Sequence, residues 1–203
     1  MLVLFAVDDT MGCMAIWQHD YYLFPRSKLI EHYGTVPELL PDDDWDAVDW
    51  WADAPFPDKT AIEQILPQGT SWSPDIDMWG ANSETSLQVA YDKERQRIEL
   101  VTIRFDLRTE YQPLRQLVHK IIELTARNEW VFCSQDTHQI MSPDYQVIAT
   151  DMQLSQAQNY VSDPVSEIID EQLRSSGYRE GENQVPLRFP LRPKTEDQEN
   201  DQE

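Results

Sequence analysis

Leu87-Gln88-Val89-Ala90-Tyr91, followed by Ile98-Glu99-Leu100-Val101-Thr102-Ile103-Arg104-Phe105-Asp106-Leu107, reads as two β-strands joined by the charged loop Asp92 to Arg97. Val101, Ile103, Phe105 and Leu107 alternate with polar neighbours, the two-residue period of a sheet with one buried face. The apolar phase slips between Leu100 and Val101, which predicts a β-bulge. Thr109 or Glu110 then opens a helix with Pro113 near its first turn. Its stripe of Leu114, Leu117, Val118, Ile121, Leu124 and Thr125 repeats at the helical period until Asn128. Trp130-Val131-Phe132-Cys133 follows as a short buried strand. A hairpin feeding an amphipathic helix and then another strand predicts an α+β fold, a mainly antiparallel sheet with helices packed largely on one face.

Upstream of the hairpin, Met1 to Val7 is an apolar run read as a buried strand, because it lacks a basic leader and meets Asp8 and Asp9 early. Cys13 to Phe24 is rich in β-formers and closes at Pro25. Short helices are predicted over Ser27–Tyr33 and Thr60–Leu66. Pro67 to Glu84, punctuated by Pro, Gly, Ser and Asn, reads as the least regular part of the body. Downstream, Asp136 to Pro143 reads as a turn or short strand and Val147 to Leu154 as a further strand. Ser155 caps a short helix through Val161, and Asp163-Pro164 starts another that ends at Gly177. Residues 1–177 are therefore expected to form one domain. The polar, proline-bearing residues 178–203 are expected to form a flexible acidic tail, since such a segment buries too little apolar area to offset its ordering entropy.

Charge is distributed unevenly. The whole chain of 203 residues carries a formal charge of -21. Residues 1–92 hold 17 acidic and 3 basic residues together with six of the seven tryptophans, whereas residues 93–177 hold 13 acidic and 9 basic residues. An acidic, aromatic half steers cationic partners and repels nucleic acid and anionic lipid. The concentrated stretch is Glu38 to Asp58, where Asp42 is placed to cap a helix carrying Trp45, Val48 and Ala52 on one face. Asp42, Asp43, Asp44, Asp46, Asp49 and Asp53 then form a candidate docking surface whose charge density resembles a phosphate backbone. Trp50 and Trp51 cannot both join the buried face of such a helix, so at least one of them is either exposed, as a candidate anchor, or buried by another element.

Catalytic patterns are sparse. Val7-Asp8-Asp9-Thr10-Met11-Gly12 superficially resembles the aspartate nucleophile segment of haloacid dehalogenase-like phosphatases, but its two aspartates are adjacent and so face opposite ways on a strand. Asp75 and Asp77 form a DxD triplet that brings two carboxylates to one side of an extended segment, a candidate metal site. Cys133, Asp136 and His138 can be drawn as a triad but lie closer in sequence than such partners usually do. The four histidines have no metal-motif spacing, and six glycines supply no phosphate-cradling loop. No cofactor is expected. Two widely spaced cysteines and the lack of a long apolar run suit a cytoplasmic protein away from membranes.

The sequence thus favours a small acidic cytoplasmic protein that neutralises a basic partner, a toxin or a nucleic-acid-binding protein, as immunity and inhibitor proteins do. The alternatives are a carboxylate-metal enzyme built on Asp75 and Asp77 or on Asp8 and Asp9, and a structural subunit whose tail docks through Leu187, Phe189 and Leu191.

Overall fold

A computed structural model describes residues 17–45, 47–54 and 59–162, which belong to one compact unit. Outside these residues lie the expected first strand, Asp8 and Asp9, Cys13, Asp46, the helix after Asp163-Pro164 and the C-terminal tail. Six strands are described: β1 (Gln18–Pro25), β2 (Ile76–Gly80), β3 (Ser86–Tyr91), β4 (Ile98–Asp106), β5 (Trp130–Ser134) and β6 (Ile140–Met141). They form one sheet in the order β2-β3-β4-β1-β5-β6, every neighbouring pair antiparallel. Five helices accompany it: α1 (Arg26–Tyr33), α2 (Lys59–Glu63), α3 (Tyr111–Arg127), α4 (Tyr145–Leu154) and α5 (Gln156–Ser162). The α+β class read from the sequence holds.

The alternation in β4 produces the expected burial, with Val101, Ile103 and Phe105 fully inside. The bulge is present one step earlier than the sequence phase suggested. Ala90 pairs with Leu100 and Tyr91 with Ile98, leaving Glu99 as the extra residue. Helix α3 buries Val118, Ile121, Ile122, Leu124 and Thr125, largely the predicted stripe. The Thr125 hydroxyl turns back to donate to the Ile121 carbonyl, which satisfies it inside the core.

The expected strand over Val147–Leu154 is instead the helix α4. Val147, Ile148 and Thr150 carry β-branched side chains, but Asp144 caps the helix by accepting from the backbone N–H groups of Gln146 and Val147. Ile148 and Met152, four residues apart, then bury together. Asp144→Ala should cost about 1 kcal/mol of stability by urea unfolding; an unchanged midpoint would mean that tertiary packing alone sets this terminus.

Both faces of the sheet are covered, in different ways. Tyr21, Leu23, Ile103, Phe105 and Phe132 point into the main core, and α4 lies over that face where Tyr21 bonds Asp151. The opposite face carries Tyr22 and Phe24, against which Trp45 packs edge-on at 4.2 and 5.7 Å between ring centroids. The layer there is a loop rather than a helix, and α1 meets it through His32 and Tyr33, whose rings contact Trp50. Helices are therefore not confined to one face. The outer edges are also occupied: residues 67–69 bridge to β2, and Glu38, Leu39 and Leu40 bridge to the strand-turn residues His138, Gln139 and Ile140. Such cover blunts the pairing tendency of exposed strand edges. It also fixes where the acidic segment begins.

Among the described residues no helix is long and apolar enough to cross a membrane.

Candidate functional site

Over its described residues the acidic segment does not form the expected α-helix. Asp42–Asp44 make one 3-10 turn after Pro41, and the chain continues through Trp50 N–H to Val48, Ala52 N–H to Asp49 and Ala54 N–H to Trp51 contacts. Consecutive aspartates compete for backbone hydrogen bonds and weaken a regular helix. The tryptophans decide the rest. Trp45, Trp50 and Trp51 all turn inward, a combination that one helical face does not permit, so the backbone winds in short turns and takes a left-handed residue at Asp53, φ 58°.

Trp50 and Trp51 are only 4% and 3% exposed. Trp50 packs on Phe24 and Tyr33, and Trp51 meets Trp130 edge-on at 5.1 Å. Of the two expected outcomes, burial by another element is the one found and an exposed anchor is not: both fasten the segment to the body. Four of the described carboxylates face the other way, and Asp44 is half-buried. Asp42 is 86% exposed, and Asp43, Asp49 and Asp53 are also exposed. Three are held in place by internal donors. Asp42 accepts from the His138 ring Nδ1 at 2.8 Å, Asp44 from the Tyr33 hydroxyl at 2.6 Å, and Asp49 lies 3.4 Å from the Arg97 guanidinium. Burial and then the Asp44 carboxylate hold the Tyr33 phenol above its usual range, so it remains a donor.

Beside this segment, Tyr22, Asp42, Trp45, Gln135 and His138 enclose an open groove of about 340 Å³. His138 stacks on Trp45 with ring centroids 5.6 Å apart and takes a left-handed backbone, φ 55°, uncommon for a residue with a Cβ. Its N–H donates to the Ser134 carbonyl, and its own carbonyl accepts from Leu40. These bonds brace the turn that carries it.

The DxD pair is differently employed. Asp77 meets Lys59 Nζ at 2.5 Å, an Arg95 guanidinium nitrogen at 2.6 Å and the Tyr91 hydroxyl at 3.1 Å. Burial pushes its pKa up, but the Lys59 and Arg95 cations more than reverse this and hold the carboxyl low. Its oxygens are thus taken by the protein's own cations, and Asp75 contributes a backbone carbonyl to Tyr91 N–H. Among the described residues no group of three or more His, Cys, Asp or Glu is arranged to hold a metal ion. The remaining arginines of the sheet region pair likewise: Arg97 with Asp92, Arg104 with both oxygens of Asp20, and Arg108 with Asp106.

Cys133, Asp136 and His138 do not converge. The Cys133 thiol is fully buried, and burial pushes its pKa up to about 12, far from a reactive thiolate. His138 faces Asp42, and Asp136 turns instead to His19 on the other side of the sheet.

His19 belongs to a network the sequence did not disclose. It is 2% exposed, with Nε2 at 2.8 Å from Asp151 and Nδ1 at 3.5 Å from Asp136. The Tyr21 hydroxyl donates to the same Asp151 oxygen at 2.7 Å. Burial alone lowers the His19 pKa, yet the two carboxylates together outweigh it and raise the value to about 9. The ring is consequently an imidazolium at neutral pH, donating toward a carboxylate from each nitrogen. With both nitrogens so engaged, it is built to tie α4 and the β5–β6 turn to β1 rather than to shuttle protons. The one signal available in the sequence was its phase, since His19 alternates with Tyr21 and Leu23 on the face that must be apolar.

Comparison with known protein families, curated proteins and solved structures finds no match to this chain.

Proposed function

We propose that this chain is a protein-binding module that docks a basic partner through the carboxylates of the Glu38–Asp53 segment and neutralises it, in the manner of a cytoplasmic immunity or inhibitor protein. One observation carries the reading. Trp50 and Trp51 are buried and Trp45 is half-buried against the core, while Asp42, Asp43, Asp49 and Asp53 are exposed, so the charges are displayed from a fixed mount instead of a solvated coil. Pre-organised charge loses less entropy on binding than a mobile acidic run does. Arg95, Arg104 and Arg108 of the sheet region pair with carboxylates outside the segment, and Arg97 reaches it only at Asp49, which leaves the field of the other exposed carboxylates largely uncompensated. Leu39, 59% exposed between Glu38 and the first aspartates, offers apolar contact beside the charge. It takes the place that the sequence assigned to Trp50 or Trp51.

The reading is tested by affinity capture from native-host lysate at low and moderate salt, with wild-type protein beside a chain carrying Asp42→Asn, Asp43→Asn, Asp49→Asn and Asp53→Asn. A basic protein retained by the wild type should bind the neutralised chain with an association rate constant roughly tenfold lower or less, because steering follows the summed charge. An equal rate for both chains would remove the acidic segment from the interface.

A further inference from the structure

We propose that the groove lined by Tyr22, Asp42, Trp45, Gln135 and His138 is a subsite for an arginine side chain of the basic partner. This rests on the docking reading above and gives it a specific point of recognition. The chain itself shows what its arginines seek. Arg95 lies over the Tyr91 ring at 4.4 Å and pairs with Asp77 at 2.6 Å. Arg108 lies over the Trp17 ring at 4.1 Å and pairs with Asp106 at 2.7 Å. In both places an aromatic ring takes the flat side of the guanidinium and a carboxylate takes its N–H edge, the two interactions a planar cation makes best.

The groove offers the same pair of elements with no arginine or lysine among its lining residues. Tyr22 and Trp45 meet at 71°, and although His138 stacks on one face of Trp45, the parts of the two rings that line the groove make an aromatic corner with Asp42 at its rim. His138 acts as a positioning residue: its bond to one Asp42 oxygen fixes the carboxylate, which accepts roughly four hydrogen bonds in all and so retains capacity for a guanidinium. Arginine is favoured over lysine because a compact, strongly hydrated ammonium gains less from two aromatic walls and has no fork to match the carboxylate. The occupant is a side chain of a partner rather than a free metabolite, since the groove is open on one side and lies along the exposed carboxylates.

The test uses the full chain and three small probes: N-acetyl-arginine methylamide, its lysine counterpart and its citrulline counterpart, the neutral isostere of arginine. Each is titrated while the indole N–H of Trp45 and the backbone amides of Gln135 and His138 are followed by NMR. The arginine probe should give saturable shifts at these positions with a dissociation constant on the order of 1 to 10 mM, the lysine probe a weaker response and citrulline none. Asp42→Asn should weaken the arginine probe at least about fivefold, and Asp43→Asn, a nearby exposed charge outside the groove, should leave it unchanged. Equal responses to arginine and citrulline, no response to either, or indifference to Asp42→Asn would overturn the subsite. The two levels separate cleanly. A captured basic partner that ignores Asp42→Asn but is lost on neutralising Asp43, Asp49 and Asp53 leaves the docking reading standing without the subsite. Saturable arginine binding in the groove, with no partner sensitive to the acidic segment, removes the docking reading and overturns the partner side chain as the occupant, leaving only a groove that takes a guanidinium.

Discussion

Asp151→Ala should lower the unfolding free energy by about 3 to 5 kcal/mol, the loss expected when one member of a buried ion pair is removed and its partner left behind. Asp151 accepts from both His19 and Tyr21. Without it the core retains an imidazolium and a phenol that have lost their common acceptor, and α4 loses its polar tie to β1. The same network dictates a pH dependence. The His19 pKa stands near 9 in the folded chain against 6.5 for a free side chain. A group whose folded pKa is raised contributes stability in full below its unfolded pKa, and that contribution disappears as pH climbs through the folded value. For His19 the amount is about 3 kcal/mol, present below pH 6.5 and lost on passing about pH 9. Asp136 acts in the opposite direction. Its hydrogen bond to His19, set against burial, holds its pKa below the ordinary carboxylate value, so its contribution is present at neutral pH and is lost on strong acidification. Urea unfolding at intervals from pH 5 to pH 10 should show wild-type stability falling between pH 6.5 and 9, while His19→Gln starts lower and lacks that fall. Parallel curves for the two chains would show that His19 is not charged in the folded state.

Much of this fold is legible in the sequence wherever a periodic pattern meets a single surface. β4 alternates because one of its faces is the core, and α3 repeats at 3.6 residues because one side lies on the sheet and α4. Reading failed where two signals competed. In α4 the β-branched Val147, Ile148 and Thr150 suggest a strand, and only the capping Asp144 with the four-residue spacing of Ile148 and Met152 reveals the helix. In the acidic segment Asp42 resembles a cap, but burying Trp50 and Trp51 while packing Trp45 against the core is incompatible with a continuous helix. Long-range chemistry left the fainter trace. His19 and Asp151 are separated by 132 residues, and nothing local to either announces the other. The groove is hidden for the same reason, since Tyr22, Asp42 and His138 come from a strand, a loop and a turn. What the sequence did disclose was the identity of the carboxylates. Their orientation depended on which way the tryptophans turned.

That dependence yields the second large effect. Trp50→Ala and Trp51→Ala should each cost about 3 to 5 kcal/mol, the usual penalty for truncating a buried aromatic, whereas the phenylalanine replacements should cost much less. The difference follows from the indole nitrogens. Nε1 of Trp50 and of Trp51 is buried with no hydrogen-bond partner among the described residues, and an unsatisfied buried donor costs about 1 to 3 kcal/mol. Phenylalanine removes that orphan donor while keeping most of the ring, so the lost packing and the relieved desolvation partly cancel, leaving a net cost below about 1.5 kcal/mol. Urea unfolding of the four variants gives the comparison directly. If the phenylalanine chains fall as far as the alanine chains, the indole N–H groups are satisfied in solution and the orphan-donor argument is wrong. Measured on a captured basic partner, the same variants also separate charge from its mount. Trp50→Ala deletes no carboxylate, yet it loosens the segment that displays Asp42, Asp43 and Asp49. Affinity should therefore drop in the alanine variant, under conditions where it remains folded, and persist in the phenylalanine variant. Equal affinity in both would mean that the partner reads charge alone and that the tryptophan mount serves only the stability of the fold.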